Sequence, residues 1–142
     1  MFPRGRGTRS RNSRLIFVTG GARAGKSAFA LRCAHKPSFR KHLFVATAVA
    51  CDEEMRSRIA RHKDERNGLW TTLEVPLELP EKLPTAYLHS GCVVLLDCLN
   101  TFVANLLLAK RSPAQIERKV HSLLARLKRP GLTAIVVSNE VG

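Results

Sequence analysis

Short apolar runs alternate with helix-compatible stretches along most of this chain. The first run, Leu15-Ile16-Phe17-Val18-Thr19, stops at Gly20-Gly21, and a helix-compatible stretch follows from Lys26 to about His35. A second strand is expected through Leu43-Phe44-Val45-Ala46-Thr47. Asp52, Glu53 and Glu54 then supply acidic residues to the first turn of a helix running to about Glu65, where they complement its dipole. Thr71 to Val75 reads as a short strand, Pro80 to Leu88 as a short helix, and Cys92 to Asp97 as a continuous apolar strand of the kind buried on both faces. Asn100 or Thr101 is placed to cap the next helix. Pro113, tolerated in a first turn, opens a helix to about Lys128, and Pro130-Gly131 ends it before the strand Thr133-Ala134-Ile135-Val136-Val137. Strands that alternate with helices predict an α/β fold with a mostly parallel sheet and right-handed crossovers.

Composition divides the chain in two. Residues 1–13 are rich in Arg, Gly and Ser without periodicity, and such a segment buries too little apolar surface to offset its ordering entropy. They are expected to form a disordered basic extension, whose acid-free character also resembles an organellar transit peptide or the product of a start codon assigned too far upstream. Residues 14–142 are expected to form one domain, since 142 residues with 44% hydrophobic content suffice for a single core. Cys33, Cys51, Cys92 and Cys98 are scattered, form no C-x-x-C pair and mostly sit in apolar or helical stretches, which fits a reducing, cytoplasmic setting. No apolar run approaches the roughly 20 residues that cross a bilayer, so no membrane span is expected.

The net charge of +13 raises the question of nucleic acid. Much of the excess lies in the tail between Arg4 and Arg14, and more lies along a later helix at Lys110, Arg111, Arg118, Lys119, Arg126, Lys128 and Arg129. With 6% aromatic residues and no basic stretch interleaved with stacking groups, solvated basic faces account for it better, and no nucleic-acid partner is expected.

The chemistry is concentrated after the first strand. Gly20-Gly21-Ala22-Arg23-Ala24-Gly25-Lys26-Ser27 fits G-x-x-x-x-G-K-[ST] and lies between a strand and a helix, the context a phosphate-binding loop requires. Its glycines let main-chain N–H groups converge on phosphate oxygens, and the helix N-terminus adds its positive end. Lys26 is then expected on the β- and γ-phosphates and the Ser27 hydroxyl on Mg²⁺. Asp97, closing the apolar strand, is the expected second Mg²⁺ ligand, although an Asp in that place also serves as a cap or turn residue. On the helix after the second strand, Met55, Ile59 and His62 share a face, so His62 points inward, either as a hydrogen-bonded core histidine or as a reactive one. His35, His42, His89 and His121 look like isolated surface or helix-end residues, and Trp70 suits either a packed helix or a pocket wall. Glu140, at the end of the last strand, is a further candidate near a substrate hydroxyl.

Taken together, Val18 to Arg23 with Gly25-Lys26-Ser27, Ala46-Thr47, Asp52-Glu53-Glu54-Met55, Arg58-Ile59 with His62 and Arg66, Trp70, Glu74, Asp97-Cys98, Asn105-Leu106 and Asn139-Glu140-Val141-Gly142 resemble the bifunctional adenosylcobinamide kinase / adenosylcobinamide-phosphate guanylyltransferase family in order and spacing. The resemblance runs from Leu15 to Gly142. It implies a three-layer P-loop NTPase (RecA-like) fold, here lacking the last helix and strand with which relatives continue. It implies cobalamin biosynthesis by two reactions: phosphorylation of adenosylcobinamide by ATP or GTP, then GMP transfer from GTP to give adenosylcobinamide-GDP, with Mg²⁺ as cofactor. His62 matches the histidine that carries GMP. Ala46, Thr47 and Ala48, together with Lys63, Asp64, Glu65, Arg66 and Glu74, match the nucleotide-contacting segments. The partners implied are small molecules, and a homo-oligomer is left open. Another small P-loop metabolite kinase, or an inactive or regulatory nucleotide-binding fragment, is the alternative.

Overall fold

The computed structural model describes residues 13–21, 25–48 and 67–139. These form five strands, β1 (Arg14–Gly20), β2 (Lys41–Ala46), β3 (Trp70–Glu74), β4 (Cys92–Asp97) and β5 (Thr133–Asn139), and three α-helices, α1 (Lys26–Ala34), α2 (Leu99–Leu108) and α3 (Pro113–Leu127). Every strand pairing is parallel, and the order across the sheet is β1-β5-β4-β2-β3. The helix expected between Asp52 and Glu65 lies outside the described residues.

Side chains alternate across each strand, so a sheet covered on both faces needs apolar residues at consecutive positions. Leu43, Val45, Val94, Leu96, Ala134 and Val136 face one way and meet Phe102 and Leu106 of α2 and Ile116, Leu123 and Leu127 of α3. Phe44, Val93, Leu95, Ile135 and Val137 face the other way and meet Ala30 and Ala34 of α1. The result is a three-layer α/β fold, as expected of a P-loop protein. Burial of this apolar surface, at roughly 25 cal/mol per Å², is what holds α1 on one face and α2 with α3 on the other.

Three expectations need correction. The segment from Pro80 to Leu88 is not a helix: only Thr85–Tyr87 forms a 3₁₀ turn. Pro84 lacks an N–H and pushes its predecessor out of the α region, so no α-helix propagates through it. The cap of α2 is Cys98, whose Sγ accepts from the Thr101 N–H at 3.4 Å, rather than Asn100 or Thr101. His42 is no surface residue. It is 3% exposed, reaches the Lys36 carbonyl through Nε2 at 2.8 Å, and sits edge-on to Trp70 with ring centroids 5.0 Å apart. Trp70 is itself buried and donates from Nε1 to Nδ1 of His35 at 3.0 Å, so it packs α1 against β3.

The start of α3 follows the sequence closely. Ser112 Oγ accepts from the Gln115 N–H, the Gln115 side chain accepts from the Ser112 N–H, and Pro113 opens the helix. Among the described residues β1 has a neighbour on one side only, and Ile16 and Phe17 on it are 40% and 48% exposed. With Phe29 and Arg32 of α1 they line a groove of about 610 Å³. No helix of the described residues is long and apolar enough to cross a membrane.

Candidate functional site

The parallel register sets the C-terminal ends of the strands in a row. Val18 pairs with Val137, Val137 with Asp97, Asp97 with Ala46, and Ala46 with Glu74. Crevices at such strand ends are where open α/β sheets hold ligands, and the chemistry-bearing residues lie along this one.

At one end β1 runs into Gly20 and Gly21, and Gly25 is the N-cap of α1. Gly25 has φ +73°, a left-handed conformation that an L side chain adopts only with strain, so the turn into α1 requires glycine there. Lys26 and Ser27 follow as the first two helical residues. The Lys26 side chain is 6% exposed, and its ammonium donates to the Gly21 carbonyl, folding back over its own loop. A charge so buried is tolerable only with close oxygen partners.

Ser27 is joined to Asp97 directly: its hydroxyl donates to Oδ2 at 2.7 Å across 70 positions of sequence. Strand order makes this possible. β5 separates β1 from β4, and α1 packs across β1, β5 and β4, carrying its first turn to the tip of β4. A hydroxyl and a carboxylate oxygen are hard donors of the type that Mg²⁺ takes, so the pair suits a magnesium ion held jointly with substrate phosphates.

Thr47 is wholly buried. Its N–H donates to the Asp97 carbonyl at 3.1 Å, while its hydroxyl accepts from the Cys98 N–H at 3.0 Å and donates to the Cys98 carbonyl at 2.9 Å. The hydroxyl is thus committed to tying β2 to β4, and Ala46 and the half-buried Ala48 flank it at the strand exit. Glu74 ends β3 on the exposed edge of the same row.

The sequence singled out Asn105 only as part of the family resemblance and gave it no role at this segment. The amide nitrogen of Asn105, on α2, donates to the carbonyls of Thr47 at 2.9 Å and Pro76 at 3.1 Å. Both partners are acceptors, which fixes the amide orientation. A lone polar residue between the apolar stretches Phe102–Ala104 and Leu106–Leu108 of α2 was the available signal. Ala22, Arg23, Ala24, His62, Lys63, Asp64, Glu65, Arg66 and Glu140 lie outside the described residues.

Comparison with known proteins agrees with this architecture. A family model described as cobinamide kinase / cobinamide phosphate guanyltransferase matches residues 16–142. The chain is 37% identical over 141 residues to the bifunctional adenosylcobalamin biosynthesis protein CobU of Salmonella typhimurium, an alignment covering 90% of this chain and 76% of that protein. It is 39% identical over 125 residues to the bifunctional adenosylcobalamin biosynthesis protein CobP of Pseudomonas aeruginosa, covering 88% and 70%. Against CobU of Escherichia coli it is 36% identical over 140 residues, covering 90% and 76%.

Proposed function

Because the chain belongs to the cobinamide kinase / cobinamide phosphate guanyltransferase family, we propose that it carries out both of the transfers that name implies, with His62 as the covalent carrier. It is a transferase of cobalamin biosynthesis that uses ATP and GTP as substrates. In the first reaction the aminopropanol hydroxyl of adenosylcobinamide attacks the γ-phosphorus of ATP or GTP. An O–P bond forms, the bond to the β-phosphate oxygen breaks, the hydroxyl proton is released, and the nucleoside diphosphate leaves. In the second, a neutral imidazole nitrogen of His62 attacks the α-phosphorus of GTP and pyrophosphate departs. A phosphate oxygen of adenosylcobinamide phosphate then displaces the histidine, which gives adenosylcobinamide-GDP and free imidazole. Dividing the transfer in this way replaces one hard displacement by two easier ones.

The contact between Ser27 and Asp97 carries this reading, since it joins the phosphate-loop helix to the acidic strand end. Both would hold Mg²⁺, which when bound neutralises the charge of the triphosphate. Lys26 exchanges the Gly21 carbonyl for a phosphate oxygen, and the main-chain amides of residues 20–27 bind the remaining oxygens. Ala46, Thr47 and Ala48 shape the wall beside the nucleotide, with Lys63, Asp64, Glu65, Arg66 and Glu74 as further contacts. Cys33, Cys92 and Cys98 are free thiols, in keeping with a reducing cytoplasmic setting.

Incubation with [α-³²P]GTP and Mg²⁺ tests the proposal. The chain is expected to take up acid-labile label, and His62→Asn to take up none. Full labelling of His62→Asn would remove the histidine from the mechanism and leave a simple P-loop kinase.

A further inference from the structure

Two strand exits meet at one side chain, which stands on the helix that continues a third strand. β4 ends at Asp97 and passes through Cys98 directly into α2, β2 ends beside Thr47, and β3 ends at Glu74, two residues before Pro76. Asn105 stands on α2 between Phe102 and Leu106, both 0% exposed, so the helix face that carries it is fixed by the core. From there its two N–H bonds reach the Thr47 and Pro76 carbonyls. The neighbouring bond from the Val75 N–H to the Ala46 carbonyl at 2.9 Å closes the same region.

The consequence for Thr47 is complete commitment. Its N–H is bound to Asp97, its hydroxyl to Cys98 and its carbonyl to Asn105. No rotation about this residue is free of a lost hydrogen bond, and each such loss in a buried place costs about 1–3 kcal/mol. Asn105 supplies the one bond in this set that comes from a side chain on another element. Resting on the functional reading above, we propose that Asn105 is a positioning residue for nucleotide transfer: it holds the backbone at Thr47 and Pro76 in fixed relation to Asp97. It touches no reacting atom. Its effect is on geometry, and displacements of about 1 Å at such a site cost up to roughly 100-fold in rate.

Asn105→Asp is the discriminating variant, being the same size with its donors replaced by a carboxylate that faces two carbonyl oxygens. Asn105→Leu removes all polarity and serves as the second variant. Three quantities are measured for each: the single-turnover rate of labelling by [α-³²P]GTP, the Kd for Mg-GTP, and hydrogen exchange at Thr47 and Ala48, with thermal unfolding to confirm that the variants are folded. The Asp variant is expected to label roughly 10- to 100-fold more slowly with Kd changed less than about threefold, and to exchange faster at Thr47 and Ala48. Its deficit should narrow as pH falls and the carboxyl gains a proton that restores one donor, whereas the deficit of Asn105→Leu should not. Equal labelling rates for wild type and a folded Asn105→Asp overturn the proposal, as does a loss confined to Kd. If wild type takes no label, the functional reading fails, and exchange alone then decides: unchanged exchange in Asn105→Asp means that Asn105 does not hold this backbone.

Discussion

The 2.7 Å contact between Ser27 and Asp97 gives the site its most specific requirement at the scale of single residues. If both oxygens serve a magnesium ion, Ser27→Ala and Asp97→Asn should each weaken Mg-ATP binding at least about tenfold, or ~1.4 kcal/mol. Calorimetry with EDTA in place of magnesium should abolish the difference from wild type. An undiminished difference without the metal would make the pair a structural bond alone. His42 raises a separate point of stability. Truncation to Ala leaves the Lys36 carbonyl without its 2.8 Å partner and opens a gap against Trp70, and denaturant unfolding should show a loss of about 2–4 kcal/mol. A polar residue at the start of an apolar strand carries no sign of its burial, because the signal lies in the Lys36 carbonyl and the Trp70 ring, which only the fold brings against it. The turn into α1 was legible for the opposite reason: Gly25, Lys26 and Ser27 are consecutive, and a glycine at the left-handed position before a helix is a local pattern.

Helices and strands were legible wherever one local pattern decided them. The apolar run Cys92–Leu96 is buried throughout as its composition demands, with the carboxylate of Asp97 half-buried at its end, and Ser112, Pro113 and Gln115 start α3 as their types require. The start of α2 was misread because cysteine is seldom a cap and only the bond from the Thr101 N–H reveals it. Cys98→Ala is therefore expected to cost about 1 kcal/mol and Cys98→Ser to keep most of that stability, as measured by urea unfolding. Between elements, Lys119 of α3 holds Glu81 at 2.9 Å, fastening the turn after β3. The lysine bonded to it holds the Glu81 carboxyl below the usual glutamate range. The folded carboxyl is thus harder to protonate than the unfolded one, so the stabilisation is present above the ordinary glutamate range and is lost as pH falls through the lowered folded value. Since Glu81 is 60% exposed, Glu81→Gln should cost under ~1 kcal/mol at neutral pH, and less in high salt. A cost that persists at pH 2 would contradict the ion-pair account.

For the whole molecule, the sheet is the organising object, and its edge at β1 bears Ile16 and Phe17 in the open. Such an edge invites pairing with other chains. Phe17→Lys should lower concentration-dependent association in sedimentation velocity, and unchanged association would show that this edge is not involved. The order β1-β5-β4-β2-β3 has a consequence in time as well. Arg14 pairs with Thr133, so among the described strands the first to leave the ribosome waits for the last before it has a neighbour. Contacts so far apart in sequence form slowly. Until β5 arrives, Ser27 has no platform that carries it to Asp97, so their contact is made only late in synthesis, and any triphosphate binding that depends on it is expected to begin only then.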